Sequence, residues 1–212
     1  MLTIYLADLV YDSVETNHVV PLNVACLAAY AQKAFDNKLN IKIYKYPAEL
    51  EKDIIEQTPD VLGLSNYSWN ERLNHHFCNF VKSKNKNTTT ILGGPNIRLE
   101  SVFIEKYLKN HTDVDYYIVG EGEQPFTELL EKLIYNHDNT TLPAGCAKFY
   151  GDSFSYIPVD NKKKSKEYDY ASPYLSGLLD PFIKDKKCIP LFESNRGCPF
   201  ACSYCAWGVS QL

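Results

Sequence analysis

Three cysteines near the end of the chain carry its most specific chemistry: Cys198, Cys202 and Cys205, spaced Cys-x3-Cys-x2-Cys in Gly197-Cys-Pro-Phe-Ala-Cys-Ser-Tyr-Cys205. A tight loop of this spacing can turn three thiolates toward one point, which suits an iron–sulfur cluster. Three protein ligands on a four-iron cluster leave one iron open to bind something other than protein. Gly197 permits a sharp turn before the first cysteine, and Pro199 stiffens the loop after it. The apolar run Ile189-Pro-Leu-Phe192 leads in as a buried strand would. The competing reading is a tetrahedral zinc site with Cys188 as fourth ligand, although zinc fingers more often use paired Cys-x2-Cys units.

The rest of the chain must position that loop. Its 212 residues allow one full domain and part of another, and 45% hydrophobic residues are enough for a packed core. A net charge of −4 leaves no electrostatic footprint for nucleic acid, so no nucleic-acid partner is expected. The Lys162-Lys-Lys-Ser-Lys166 run reads as a solvated linker. Seven cysteines, an odd number, and the lack of a signal-peptide core point to a reducing, cytoplasmic setting. No apolar run reaches membrane-spanning length, so no membrane association is expected.

Residues 1–140 alternate strand and helix patterns, the mark of a doubly wound parallel sheet. Strands are expected at Leu2–Ala7, Ile41–Tyr44, Asp60–Ser65, Thr89–Leu92 and Tyr116–Val119. The intervening helices are expected from Pro21, over 49–57, 71–84 and 101–109, and from Pro125, which is placed at the first helical position. Cys26 falls among the apolar positions of the first helix and reads as core. Five strands in this order predict a flavodoxin-like sheet, 2-1-3-4-5, with its ligand site beyond the carboxyl ends at the switch between strands 1 and 3. The loops that meet there are 8–20, 65–70, 93–98 and 120–124. Glu121 and Glu123 could pass for an acid pair but are read as favouring the positive end of the last helix. Residues 141–187 read as a small hairpin (147–150 and 154–156) and a charged linker. Ser172–Leu179 is expected to form a turn and short helix against a barrel. Residues 188–212 hold the cysteine loop.

The loop resembles the radical S-adenosylmethionine (SAM) family, whose signature is Cys-x3-Cys-x-aromatic-Cys, with Tyr204 at the aromatic position. The resemblance implies a 4Fe–4S cluster on Cys198, Cys202 and Cys205, SAM chelated at the open iron, and cleavage of SAM to a 5′-deoxyadenosyl radical. It also implies an external electron donor such as flavodoxin or ferredoxin. The preceding domain resembles the cobalamin (B12)-binding domain that stands ahead of many radical SAM cores. The matching stretches are Pro21-Leu-Asn-Val-Ala-Cys-Leu-Ala-Ala-Tyr30, Val61-Leu-Gly-Leu-Ser-Asn-Tyr-Ser-Trp-Asn70, Leu92-Gly-Gly-Pro95 and Val119-Gly-Glu-Gly-Glu123. The cofactor residues so implied are Asp8, Val10, Ser65, Tyr67, Trp69, Gly93, Gly94, Gly120 and Glu121.

One departure matters. The family's cobalt-ligating pattern is Asp-x-His-x-x-Gly, and this chain has Asp8-Leu-Val10-Tyr-Asp-Ser13, so the histidine is absent. His18, later in that loop, reads as exposed rather than as a ligand. A complete radical SAM core extends roughly 200 residues past the loop, whereas seven follow Cys205 here; the segment alone is expected to be inactive. The resemblance thus implies the amino-terminal part of a cobalamin-dependent radical SAM enzyme, of methyltransferase type, acting on a small molecule. Two other readings stand beside it: a non-catalytic cobalamin-binding module, and a radical SAM protein whose first domain no longer binds cobalamin.

Overall fold

A computed structural model describes residues 1–11, 19–135, 141–159, 170–184, 188–194, 196 and 202–204. Ser13, His18, the Lys162–Lys166 run, Cys198 and Cys205 lie outside the described residues.

The chain opens with β1 (Leu2–Ala7), α1 (Leu22–Phe35), β2 (Leu39–Tyr44), α2 (Pro47–Glu56), β3 (Val61–Ser65), α3 (Glu71–Lys84), β4 (Thr89–Gly93), α4 (Ser101–Asn110), β5 (Tyr116–Ile118) and α5 (Glu123–Tyr135). These strands lie parallel in the expected order, β2-β1-β3-β4-β5. Their near-continuous hydrophobicity has a direct cause: helices cover both faces of the sheet, so successive side chains enter two different cores. Tyr5, Leu62, Leu92 and Tyr117 join Leu50 and Ile54 of α2, Phe77 and Val81 of α3, and Ile104 and Leu108 of α4. Ile4, Leu6, Val61, Ile91 and Ile118 join Val24, Ala28 and Phe35 of α1 and Phe126, Leu129 and Leu130 of α5. Burying each such side chain stabilises the fold by about 1.5–3 kcal/mol.

The sheet is wider than five strands. β6 (Cys146–Tyr150) and β7 (Ser153–Tyr156) form the expected hairpin, and β6 pairs antiparallel with β5, giving seven strands in all. The hairpin therefore closes the open edge of β5 instead of standing apart. Two boundaries differ from expectation. The last helix begins at Glu123, which puts Pro125 at its third position, where an amide would also lack an intrahelical acceptor. The turn occupies 173–179, and the short helix α6 follows it at Asp180–Lys184 instead of lying within 172–179. Leu179 and Phe182 pack with Val20, Leu22, Ala25 and Cys188 around the start of α1. Among the described residues, no helix is long and apolar enough to cross a membrane.

Candidate functional site at the carboxyl edge of the sheet

α1 lies on one face of the sheet and α2 and α3 on the other, so the chain parts at the carboxyl ends of β1 and β3. The implied residues gather there. Past Ala7 the backbone keeps pairing with the end of β2: Asp8 N donates to Tyr44 O (3.0 Å) and Val10 N to Lys45 O (3.2 Å). Val10 is thereby fixed and is 8% exposed, a hydrocarbon where the family pattern would place an imidazole.

Beneath it lies a buried polar network. Ser65 Oγ donates to Asp8 Oδ1 at 2.6 Å. Asn70 Nδ2 donates to Leu9 O (3.1 Å), and Asn70 Oδ1 receives the Tyr67 amide (2.9 Å). Asn74 Nδ2 donates to Ser65 O, Asn66 Oδ1 and Asn70 Oδ1. Lys45, fully buried, donates to Val19 O at 2.7 Å. Burial raises the Asp8 pKa above its ordinary value, opposed by the Ser65 hydroxyl and the Lys45 charge. Burial lowers that of Lys45, opposed by Asp8. The network holds the strand exits of β1 and β3 in register.

A carboxyl whose pKa is raised on folding costs stability above its folded pKa, and the cost is relieved as pH falls through that value. Ser65→Ala removes the hydrogen bond that favours the charged form and should push Asp8 further up. The variant should lose about 1–3 kcal/mol at neutral pH. The gap from wild type should narrow as pH falls into the carboxylate range, read from urea midpoints. A gap independent of pH would show that the hydroxyl does not act through the Asp8 charge.

The upper surface of the edge is apolar and open. Tyr67 and Trp69 stack with ring centroids 4.4 Å apart and 8° between planes, and Trp69 is 55% exposed. Asn23 of α1 donates to the Tyr67 hydroxyl at 3.2 Å. Gly94 adopts φ +120°, and a Cβ there would lie 2.7 Å from Asn66 O, so only glycine lets this exit turn nest against the β3 loop. Asn66 N donates to Gly93 O at 2.6 Å, and Tyr117 Oη donates to Gly94 O at 3.1 Å. Gly120, at φ +83°, faces open space: nothing lies within 4 Å of where its Cβ would stand.

The segment that leads to the cysteine loop approaches this same edge. Val19 and Ile189 form a parallel bridge, with Val20 N donating to Ile189 O at 3.1 Å. Arg196, two residues before Cys198, pairs with Glu123 Oε1 at 2.5 Å and with Glu193 Oε2 at 2.8 Å. Its guanidinium also lies over the Tyr170 ring, 4.6 Å from the centroid, and Tyr170 donates to Glu121 at 3.3 Å. Glu121 and Glu123 are thus engaged by Tyr170 and Arg196 respectively. Glu123, 5% exposed, opens α5 and holds Arg196. The apolar lead-in is not a buried strand, since Ile189 and Phe192 are 60% and 77% exposed. Cys202 is half-buried and Tyr204 is 90% exposed. Cys188 lies in the apolar cluster at the start of α1, its sulfur 3.8 Å from the Tyr46 hydroxyl. Burial, and next the Glu123 charge, push the Cys26 thiol up to about 11, which fits packing and not ligation.

Sequence reasoning missed Lys45, the asparagine network and the Arg196 clasp. The asparagines did leave a signal: Asn66, Asn70 and Asn74 recur every four residues from the exit of β3 into α3, a spacing that aligns them on one side.

The donor set and shape fit cobalamin. Tyr67 and Trp69 offer aromatic surface, Ser65, Gly93 and Gly94 are small at the strand ends, and Val10 presents no lone pair.

The B12 binding domain family matches residues 10–130. The chain is 32% identical over 205 residues to the cobalamin-dependent radical SAM methyltransferase TokK of Streptomyces tokunonensis, covering 91% of this chain and 29% of TokK. It is 32% identical over 160 residues to the 2-(S-pantetheinyl)-carbapenam-3-carboxylate methyltransferase of Streptantibioticus cattleyicolor, covering 73% of this chain and 23% of that enzyme. Among solved structures, the cobalamin-dependent SAM radical enzyme OxsB with aqua-cobalamin and SAM bound superposes with a TM-score of 0.68 at 18% identity. That match covers 97% of this chain and 28% of OxsB. The chain thus spans less than a third of the length of each of these relatives.

Proposed function

The chain belongs to the B12-binding-domain family, and from that premise we propose that it is the cofactor-bearing amino-terminal part of a cobalamin-dependent radical SAM methyltransferase acting on a small molecule. The sheet edge is assigned to cobalamin. Cys198, Cys202 and Cys205 are assigned to a 4Fe–4S cluster that cleaves SAM, reduced by an external donor of the flavodoxin or ferredoxin kind. Bound together, these groups would supply a methyl group carried on cobalt and a radical that opens an unactivated carbon or phosphorus centre to it.

The chain's own residues have definable tasks in this reading. Tyr67 and Trp69 give a flat apolar surface for the corrin ring. Ser65, Gly93 and Gly94 keep the strand ends small where a nucleotide tail would descend. Val10 would offer hydrocarbon and no ligand at the position where the family pattern has its histidine. Glu123 holds Arg196, and so holds the approach to the cysteine loop against the edge that carries the second cofactor. That last contact is the observation that supports the reading most, because methyl and radical must reach one substrate.

Anaerobic loading tests it. The chain incubated with hydroxocobalamin, iron and sulfide should elute from gel filtration with one cobalamin, and its cluster absorbance should vanish in Cys202→Ala but survive in Cys188→Ala. If Cys188→Ala abolishes the metal centre while Cys202→Ala retains it, the cluster assignment is wrong. If no cobalamin is retained, the first domain serves some other purpose.

A further inference from the structure

Glu71, His75 and His111 bring one ligand atom each to within 4.8 Å of one another, apart from the residues assigned to either cofactor. Glu71 opens α3 and His75 follows four residues later, so both rise on one face of that helix. His111 is the residue that ends α4. The two imidazole rings stack with centroids 3.8 Å apart and 13° between planes.

Both ring nitrogens of His75 have partners. His75 Nδ1 stands 2.8 Å from Asp113 Oδ2, so the protonated nitrogen donates to the carboxylate and Nε2 keeps the lone pair. A carboxylate behind an imidazole fixes its tautomer and raises its basicity toward a metal. Nε2 is met by the Tyr107 hydroxyl at 3.0 Å. Tyr107 and His111 also line a surface cavity of about 460 Å³ that would give an ion access and leave room for water.

We propose that Glu71, His75 and His111 form a site for a divalent transition metal ion of the zinc class, with Asp113 as the positioning residue and the fourth position open to the cavity. Two imidazoles and one carboxylate favour such an ion over magnesium or calcium, which take oxygen ligands. Zinc bonds of 2.0–2.1 Å to nitrogen require donors about 3.4 Å apart in a tetrahedral site. The three ligand atoms must therefore close somewhat, and the imidazoles must tilt out of their stack so that their in-plane lone pairs converge. The ion takes the place of the Tyr107 hydroxyl at Nε2. It thereby clips the start of α3 to the end of α4. Tyr107 also accepts from Asn66 Nδ2 at 3.1 Å, which connects the clip to the loop after β3.

Cobalt(II) serves as the spectroscopic stand-in for zinc. The probe is the 212-residue chain without cobalamin, carrying Cys188→Ala, Cys198→Ala, Cys202→Ala and Cys205→Ala so that the cysteines of the carboxyl-terminal segment do not compete; Cys78 and Cys146 are buried, and Cys26 packs against an apolar cluster. One cobalt per chain should bind, with the visible absorption of a four- or five-coordinate nitrogen–oxygen site, and zinc should bleach it. His111→Ala and Glu71→Gln should each remove that absorption, and far-UV circular dichroism shows whether each variant is folded. Asp113→Asn does not touch the ion and should weaken binding by about 10–100-fold. Should His111→Ala fail to fold, Glu71→Gln, at a helix start, decides the matter. An octahedral aquo spectrum, or absorption unchanged in the folded variants, would overturn the assignment.

Discussion

Val61→Asp should leave the chain without a folded sheet at 25 °C. Val61 begins β3, the strand between β1 and β4, where it is aligned with Ile4 and Thr89, and it is 1% exposed. It packs in one hydrophobic cluster with Leu6, Ile91 and Phe126. A carboxylate placed there would be buried among these hydrocarbons, and an unpaired buried charge costs more than about 4–5 kcal/mol. The whole stability of a domain is about 5–15 kcal/mol. Far-UV circular dichroism should therefore show loss of structure and no cooperative thermal transition. A soluble Val61→Asp protein with an unchanged midpoint would remove Val61 from the core.

Gly94→Ala should be the most damaging small substitution at the edge. At φ +120° an L-residue is strained by about 1–3 kcal/mol. The new methyl would also meet Asn66 O at 2.7 Å and Asn66 N at 3.1 Å, backbone atoms that cannot step aside alone. The turn must then move from the β3 loop, breaking the hydrogen bonds Asn66 N–Gly93 O and Tyr117 Oη–Gly94 O. The expected loss is about 3–5 kcal/mol, with cobalamin affinity falling alongside. Gly93→Ala is the control, since its Cβ would stand 3.4 Å from the nearest atom without a positive φ. Equal tolerance of the two substitutions would mean that the nested turn does not shape the edge.

The parallel fold could be read in the sequence because each central strand is apolar on both faces, and the helices between keep a 3.6-residue period. Val61-Leu-Gly-Leu-Ser65 and the run Val24, Ala28, Ala31, Phe35 are sufficient examples. The pairing of the hairpin with β5 was not legible: alternation in Ala147–Tyr150 says that a strand has two faces, not which edge it joins. The site divides along the same line. Topology alone gathers the loops that carry Asp8, Ser65, Tyr67, Trp69 and the glycines at one edge, and the family resemblance singled out those residues within them. Lys45 and Arg196 were missed because a lysine after a strand and an arginine before a cysteine loop look solvated in one dimension. Their burial and their pairing arise from contacts across 26 and 73 residues of chain, Lys45 with Val19 and Arg196 with Glu123.

Whether the edge holds cobalamin without a protein nitrogen on the metal is the centre of this account. Val10, buried and fixed by the Lys45 carbonyl, stands where the family pattern has histidine, so a cobalamin held at this edge would be offered hydrocarbon and no nitrogen from that position. Electron paramagnetic resonance of the protein-bound Co(II) form reads this directly. The spectrum should be that of base-off cobalamin, with no nitrogen superhyperfine splitting, and His18→Ala should leave it unchanged. Clear nitrogen splitting that disappears in His18→Ala would make that histidine the axial ligand and contradict the account.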